Sequence, residues 1–294
     1  MLSSRSIKRT LSGVLENFWS LGFVAAGHFD RRTVDRLISS TQQRILIVAP
    51  HPDDEVIGCA GTLKLQQQFG AEACVVYATD GRRSRAQGLS SAEMANRRKQ
   101  EADAALRQLQ IAQPHWLGLV EGEWTGDQFT HLLDPILRNF QPHIIYAPSL
   151  IDYHPEHKSV AQALARTLKH VRSDFDQPII RIYQVHVPLT SILVNVVADV
   201  SRWGTEIRLA GAAYVTQTDS IHRADRIRRY AAAYYRAGSI AEEFWQMSAD
   251  RYIDLHLSKN SSNHFRGVRY WAWSDPLAYG FGRNARQSAA KTIR

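Results

Sequence analysis

The segment Pro50-His51-Pro52-Asp53-Asp54-Glu55 sets one imidazole and three carboxylates within five consecutive residues. Such a cluster repels itself unless a cation or basic side chains neutralise it. A helix cap would use one of these carboxylates, not three and a histidine. A second segment, Asp152-Tyr153-His154-Pro155-Glu156-His157, adds two imidazoles three residues apart, again beside acids. Proline suits a first helical position, so a helix starting near Pro155 presents both rings on one face. Nitrogen and oxygen donors in this mixture suit Zn2+, with Fe2+, Co2+ or Mn2+ as alternatives. The second segment holds no cysteine, and Cys59 is expected on the inward face of the first helix. Three ligands and an open position describe a catalytic site rather than a structural one.

The elements around these segments can bring them together. Residues 44–50 are a short apolar run rich in β-branched residues, read as a strand buried on both faces. A helix is expected over about 55–69, a second buried strand over 73–78, and a helix from Ser90 or Ser91 to about Leu109. A weak strand over 115–119, a helix over 129–140, a strand over 143–147 and a helix over 155–168 follow. This alternation implies a Rossmann-like three-layer α/β/α fold with a mainly parallel sheet. Residues 181–187 and 194–200 read as a pair of strands extending that sheet, and the chain after Trp203 as mostly helical. Open parallel sheets bind ligands outside the C-terminal ends of their strands. Both polar segments directly follow strands, so they are expected to meet at that edge.

Composition narrows the function classes. The 294 residues are 44% hydrophobic and 22% charged, which excludes a disordered or low-complexity chain. No window approaches ~18 uncharged apolar residues, so no membrane-spanning helix is expected. Cys59 and Cys74 are too few for a disulfide framework and fit a reducing, cytoplasmic compartment. A net charge of +8 admits anionic partners, but no nucleic-acid-binding motif accompanies it, and none is expected. No G-x-S-x-G elbow marks a serine hydrolase. The expected organisation is an N-terminal amphipathic helical extension over 1–40, an α/β domain over 41–260, and a C-terminal extension with a basic tail over 261–294. Leu11, Val14, Leu15, Phe18 and Leu21 share one helix face near Arg5, Lys8 and Arg9. That face is expected to pack on the domain or in a dimer contact or, as the alternative, residues 5–26 are expected to rest on a membrane surface. The tail after Gly280 is expected to be solvated. Its Gly280-Phe281-Gly282-Arg283-Asn284-Ala285 matches a dinucleotide fingerprint only formally, because too little chain follows for a βαβ unit.

Taken with the two polar segments, further stretches fall in a known order. These are Thr79-Asp80-Gly81, Arg98-x-x-Glu101 before an Ala-rich helix, 116–122 with its Leu-Gly and Glu-Gly pairs, 141–148, and Ala241-Glu242-Glu243-Phe244. Over about residues 44–250 the chain resembles the PIG-L/LmbE-like zinc-dependent N-deacetylases. The resemblance implies hydrolysis of an N-acetyl group on an N-acetylglucosamine-type conjugate. It implies His51, Asp54 and His157 as metal ligands, Asp53 as general base, His154 as acid or oxyanion stabiliser, and Arg98 near the substrate. The chain departs from the family in Glu156, where Asp is frequent, and in Cys59-Ala60-Gly61, where paired glycines are frequent.

An amide resists water because water is a poor nucleophile and the amine a poor leaving group. A metal answers the first difficulty by lowering the pKa of its bound water toward ~7. A carboxylate beside it takes the proton, and a protonated His154 is expected to steady the oxyanion. Asp80, Arg98, Glu121 and Asp152 are candidates to hold the sugar at the rim, and Trp116 or Trp124 to stack on it. The partner is then a small amino-sugar conjugate, anionic or lipid-linked among the options. The alternatives are a catalytically idle sugar-binding relative and, behind it, a polyanion-binding protein.

Overall fold

The residues from Ile45 to Ala49 are all buried, as a strand covered on both faces requires. In a computed structural model, which describes residues 18, 20–38, 42–112, 114–258 and 283–293, they lie in the middle of a single sheet. Its strands are β1 (Asp35–Arg36), β2 (Arg44–Ala49), β3 (Glu72–Thr79), β4 (His115–Leu119), β5 (Ile144–Ala147), β6 (Ile179–Ile182), β7 (Val196–Asp199) and β8 (Ala241–Ser248). The order across the sheet is β1-β7-β8-β6-β5-β2-β3-β4. Pairing is parallel except for β8, which runs antiparallel to both β6 and β7. The helices are α1 (20–29), α2 (Asp54–Gln67), α3 (Ser91–Leu109), α4 (Gly126–Phe140), α5 (Pro155–His170), α6 (Gly204–Ala212), α7 (Thr218–Tyr235), α8 (Ala249–Leu257) and α9 (Arg283–Lys291).

Strand alternation sorts the core into two layers. Ile45, Ile47 and Ala49 of β2 join Val75, Tyr77 and Tyr146 against residues of α2, α3 and α6. Leu46 and Val48 join Val76, Ala78 and Ile145 against residues of α4, α5 and α8. From β2 the sheet grows one way through β3 and β4 and the other way through β5 and β6. The gap between β2 and β5 is therefore the topological switch point where open sheets bind ligands. The two polar segments leave these adjacent parallel strands at the same end.

Local chemistry fixes the helices that flank this gap. Ser90 caps α3 and Glu93 returns the bond, a capping box. Pro155 opens α5 with His154 at its N-cap. Helix α2 is broken: Cys59 has φ −154° and ψ 17°. The break frees main-chain groups inside the core, where an unpaired polar group costs about 1–3 kcal/mol. One buried ion pair satisfies them. Glu242 of β8 accepts from Gly61 N (3.1 Å), Thr62 N (2.8 Å) and Thr62 Oγ1 (2.7 Å). Arg228 of α7 donates to Glu242 (3.0 Å), to Val56 O and to Ile57 O (3.1 Å).

Three expectations are corrected. Residues 181–187 and 194–200 do not pair as neighbours; β8 lies between β6 and β7. That strand was hidden because Glu242 and Glu243 are buried, against the rule that glutamate marks an exposed face. Of the C-terminal tail, residues 283–291 are helical, and Arg286, Ala290 and, just past the helix, Ile293 are buried, while Gly280 to Gly282 lie outside the described residues. At the other end, residues 1–17 are also outside the description. Helix α1 packs through Phe23, 5.0 Å from the Tyr230 ring, whereas Phe18 and Leu21 of the expected face are exposed. No helix among the described residues is long and apolar enough to cross a membrane.

Two measurements test this account. Arg228→Met strands a buried Glu242 charge and should lower the unfolding free energy by about 3–5 kcal/mol in urea titrations. Burial pushes the Glu243 carboxyl from its ordinary 4.5 up to about 8, against the pull of Gln184 and Arg286. A raised carboxyl favours the fold while protonated, so its contribution is whole below 4.5 and is lost as pH rises through about 8. The urea midpoint of Glu243→Gln should therefore match wild type at pH 4.5 and increasingly exceed it up to pH 8.

Candidate active site

Asp53 stands where a capping residue would, yet its side chain makes no cap bond to α2. Its backbone is held at φ 127° and ψ −23°, a conformation that costs a non-glycine residue roughly 1–3 kcal/mol. Three contacts hold it there. Arg98 of α3 donates to Asp53 Oδ1 (2.7 Å) and to Pro52 O. The Asp53 N–H donates to Glu55 Oε2 (3.1 Å), and Glu55 in turn accepts from the Tyr214 hydroxyl (2.6 Å). Arg98 is seated by Gly81, whose φ of +65° favours glycine and where a Cβ would come within 2.9 Å of the Arg98 side chain. One turn along, Glu101 accepts from Thr216 N (3.1 Å) and Thr216 Oγ1 (2.6 Å), fixing the turn that leads into α7.

Beside Asp53, three donor atoms converge from the two segments. His51 Nδ1 and His157 Nε2 are 3.2 Å apart, His157 Nε2 and Asp54 Oδ2 3.4 Å, and His51 Nδ1 and Asp54 Oδ2 3.6 Å. Metal bonds of ~2.0–2.2 Å to three corners of a tetrahedron put those corners about 3.3–3.6 Å apart. The donor types and spacing therefore fit a tetrahedral cation. Each imidazole is backed on its other nitrogen by a carboxylate: Glu121 Oε1 lies 3.3 Å from His51 Nε2, and Asp152 Oδ2 lies 3.2 Å from His157 Nδ1. Such backing fixes ring orientation and raises ligand basicity. The Asp54 carboxylate also accepts from His51 N (2.8 Å), which locks its rotamer.

Burial acts on every charge here, and the neighbours decide the sign. It pulls the His51 imidazole down, but Asp54 and Glu121 outweigh it and lift the ring to about 10. Burial raises Asp54, but His157 and His51 hold it well below the carboxylate range. Burial pushes Asp53 up to about 6 despite Arg98. Glu55 is pushed to about 7 against the Tyr214 bond. His154 is driven down to about 3 by burial and by the His51, His157 and His186 rings.

A cavity of about 540 Å³ opens above the donor triangle. His51, Asp53, Asp54, Arg98, Glu121 and His154 all line it, and His157 closes its floor from behind. The structure departs from expectation at several residues. Asp80 is off the cavity wall, tied to Arg82 (2.7 Å). Asp152 is also off the wall; its oxygens serve His157, His186 and the His154 N–H (2.9 Å). His154 lines the cavity, and its buried Nδ1 has no partner among the described residues. Glu156 does not orient His154 but accepts from Trp124 Nε1 and Gly122 N (3.3 Å). Trp124 lines the cavity, whereas Trp116 stacks on Tyr77 at 4.5 Å. Sequence reasoning missed His186. It stacks on His154 at 5.2 Å, approaches Asp152 at 3.2 Å and lines the cavity. It follows β6 in an irregular stretch that reads as strand, so no spacing flagged it.

Comparisons with known proteins give a family profile, curated relatives and solved structures that this chain resembles. The family profile PIG-L, described as GlcNAc-PI de-N-acetylase, matches residues 46–168. A probable N-acetyl-alpha-D-glucosaminyl L-malate deacetylase 2 of Bacillus subtilis is 28% identical over 148 residues, covering 47% of this chain and 65% of its own. A 1D-myo-inositol 2-acetamido-2-deoxy-alpha-D-glucopyranoside deacetylase of a Mycobacterium species is 30% identical over 150 residues, covering 41% and 48%. The chain thus spans about half to two thirds of the length of these curated relatives. In fold it resembles the N,N'-diacetylchitobiose deacetylase of Pyrococcus horikoshii, with TM-score 0.61, 22% identity, and 71% and 85% of the two chains covered. It equally resembles a 4-carboxy-2-hydroxymuconate hydratase of Pseudomonas putida, with TM-score 0.63, 18% identity, and 70% and 96% covered. The fold alone therefore does not choose the reaction.

The backing carboxylate gives a direct test. Asp152→Asn should weaken Zn2+ binding roughly 10–100-fold in a chelator-competition titration. Unchanged affinity would mean that Asp152 does not tune His157.

Proposed function

We propose, from the match of residues 46–168 to the PIG-L family profile, that this chain is a metal-dependent amidohydrolase. Its substrate is an N-acetylglucosamine-type conjugate, from which it removes the N-acetyl group. The observation that carries the reading is the donor triangle of His51, Asp54 and His157 with a fourth side chain, Asp53, left out of both triangle and helix cap. The curated relatives are named as deacetylases of glucosamine conjugates, which supports the substrate class.

His51 Nδ1, Asp54 Oδ2 and His157 Nε2 would hold the ion, with Zn2+ the first choice and Fe2+, Co2+ or Mn2+ the alternatives. When bound, the ion supplies Lewis acidity toward a water and toward the acetyl carbonyl. Asp53 is the base: burial has brought its carboxyl to about 6, close to the pH at which it must both accept and release a proton. Arg98 fixes Asp53 Oδ1 and leaves the second oxygen to face the cavity. His154 donates an N–H to the acetyl oxygen as negative charge grows there. The proton taken by Asp53 returns to the departing nitrogen, and acetate and the free amine result. Keeping Asp53 outside the ligand set leaves the fourth position for the reacting groups.

The experiment is elemental analysis paired with acetate release from N-acetylglucosamine glycosides. Wild type should carry about one ion per chain, and Asp54→Ala and His157→Ala should lose it. Asp53→Asn should keep the ion while kcat falls ~10²–10⁴-fold. If Asp53→Asn loses metal as Asp54→Ala does, Asp53 is a ligand and the base lies elsewhere. A native protein that neither holds nor takes up metal ends the hydrolase reading and leaves an idle, sugar-binding relative.

A further inference from the structure

The charged groups near the centre of the cavity are spoken for. Asp53 pairs with Arg98, Asp54 with the two imidazoles, and Glu121 with His51 and the Arg83 N–H (2.8 Å). Glu156 accepts from Trp124 and Gly122. One lining cation is different. Arg83 is exposed on the cavity wall, and no carboxylate among the described residues pairs with its guanidinium. Its seat is specific: the guanidinium lies over Gly122, whose φ is +75°, and a Cβ there would collide with it. Any side chain at 122 would displace Arg83.

The neighbours of Arg83 on that wall are also poised to donate. Ser84 Oγ accepts from Gln217 Nε2 (3.0 Å) and from Ala86 N (3.4 Å). Both lone pairs of that hydroxyl are then engaged, so its O–H can only donate. Ser220, in the first turn of α7, accepts from Arg223 Nη2 (2.9 Å) and keeps its own O–H. Arg83, Ser84, Gln217 and Ser220 all line the cavity, and Asp219 of the same helical turn does not. Helix α7 has 18 residues and no side-chain cap at Gln217, so its positive end adds to the same wall. Guanidinium and serine donors on one wall, where the nearest carboxylates, Glu121 and Glu156, already accept from Arg83 N and from Gly122 N and Trp124 Nε1, suit an anion rather than a neutral hydroxyl, which would ask for acceptors too.

We infer that the wall built by Arg83, Ser84 and Ser220 is an anion subsite, which takes a carboxylate or phosphate carried by the group attached to the amino sugar. This deepens the deacetylase reading and rests on it. Binding energy gathered at this wall places the acetamide over the donor triangle without touching the reacting atoms.

The test uses the full-length, metal-loaded protein and two matched pairs of N-acetylglucosamine derivatives. Phenyl and 4-carboxyphenyl glycosides probe a carboxylate; methyl glycoside and the 1-phosphate probe a phosphate. Wild type should favour at least one charged partner roughly ten-fold or more in kcat/KM, mainly through KM, and the preference should shrink as salt rises. The pair that shows the preference identifies which anion the wall takes. Arg83→Met should bring the charged-to-neutral ratio toward one, and Arg83→Lys should restore part of it. Equal kcat/KM for charged and neutral partners in wild type, or an unchanged ratio in Arg83→Met, overturns the subsite while leaving the deacetylase standing. No acetate from any of the four overturns the deacetylase reading, and the subsite with it.

Discussion

Two imidazole nitrogens held 3.2 Å apart, His51 Nδ1 and His157 Nε2, are the constraint from which the site follows. Lone pairs at that distance repel unless something electropositive lies between or beside them. Asp54 Oδ2 completes a triangle that invites a cation, and the outer nitrogens of both rings face acids, Glu121 and Asp152. Acid, imidazole and shared centre thus form two arms that meet at one point. The arms come from β2, β4 and β5, so the constraint can be met only at the edge where those strands end together. A sheet of another strand order would leave the same residues far apart.

The first arm is carried by a helix that the second half of the chain must hold together. The break at Cys59 separates the turn bearing Asp54 and Glu55 from the rest of α2. Arg228 takes the carbonyls before the break and Glu242 the N–H groups after it. Tyr214 secures Glu55, and Thr216 is tied to Glu101, three residues after Arg98 on α3. None of Tyr214, Thr216, Arg228 and Glu242 lies within residues 46–168, the part matched by the family profile. The two polar segments supply the donor groups, while β8 and α7 hold the geometry in which they stand.

Much of this was legible in sequence for definite reasons. Buried β-branched runs gave β2 and β5, and the capping box of Ser90 and Glu93 marked the start of α3. Clusters of ligand-type residues directly after strands located the edge. The losses share one cause, the burial of polar groups whose partners are distant in sequence. Glu242 looks solvent-facing until Arg228 and the broken helix are in view. Asp152 looks like a rim residue until two histidines claim it, and His186 stands outside any motif. The downward pull on the His154 pKa is likewise a property of the assembled site, set by burial and by the His51, His157 and His186 rings.

Asp53 shows how these pieces act on one atom. At a relaxed N-cap its carboxylate would turn back to the helix and be spent on a main-chain N–H. At φ 127° that bond is not made. The conformation is unfavourable alone and persists because Arg98, Glu55 and, behind it, Tyr214 over-determine it. Arg98 lowers the pKa that burial raises, so the carboxyl comes to rest near 6 rather than far above the usual range. An arginine that both aims the side chain and moderates its basicity does two tasks with one contact. One nitrogen, Arg98 Nη2, donates to both Pro52 O and Asp53 Oδ1, so a single donor group ties the side chain of Asp53 to the main chain before it. The Arg98-x-x-Glu101 pattern is then a mechanical coupling: its arginine holds Asp53, and its glutamate pins the turn from which α7 rises to form the cavity wall.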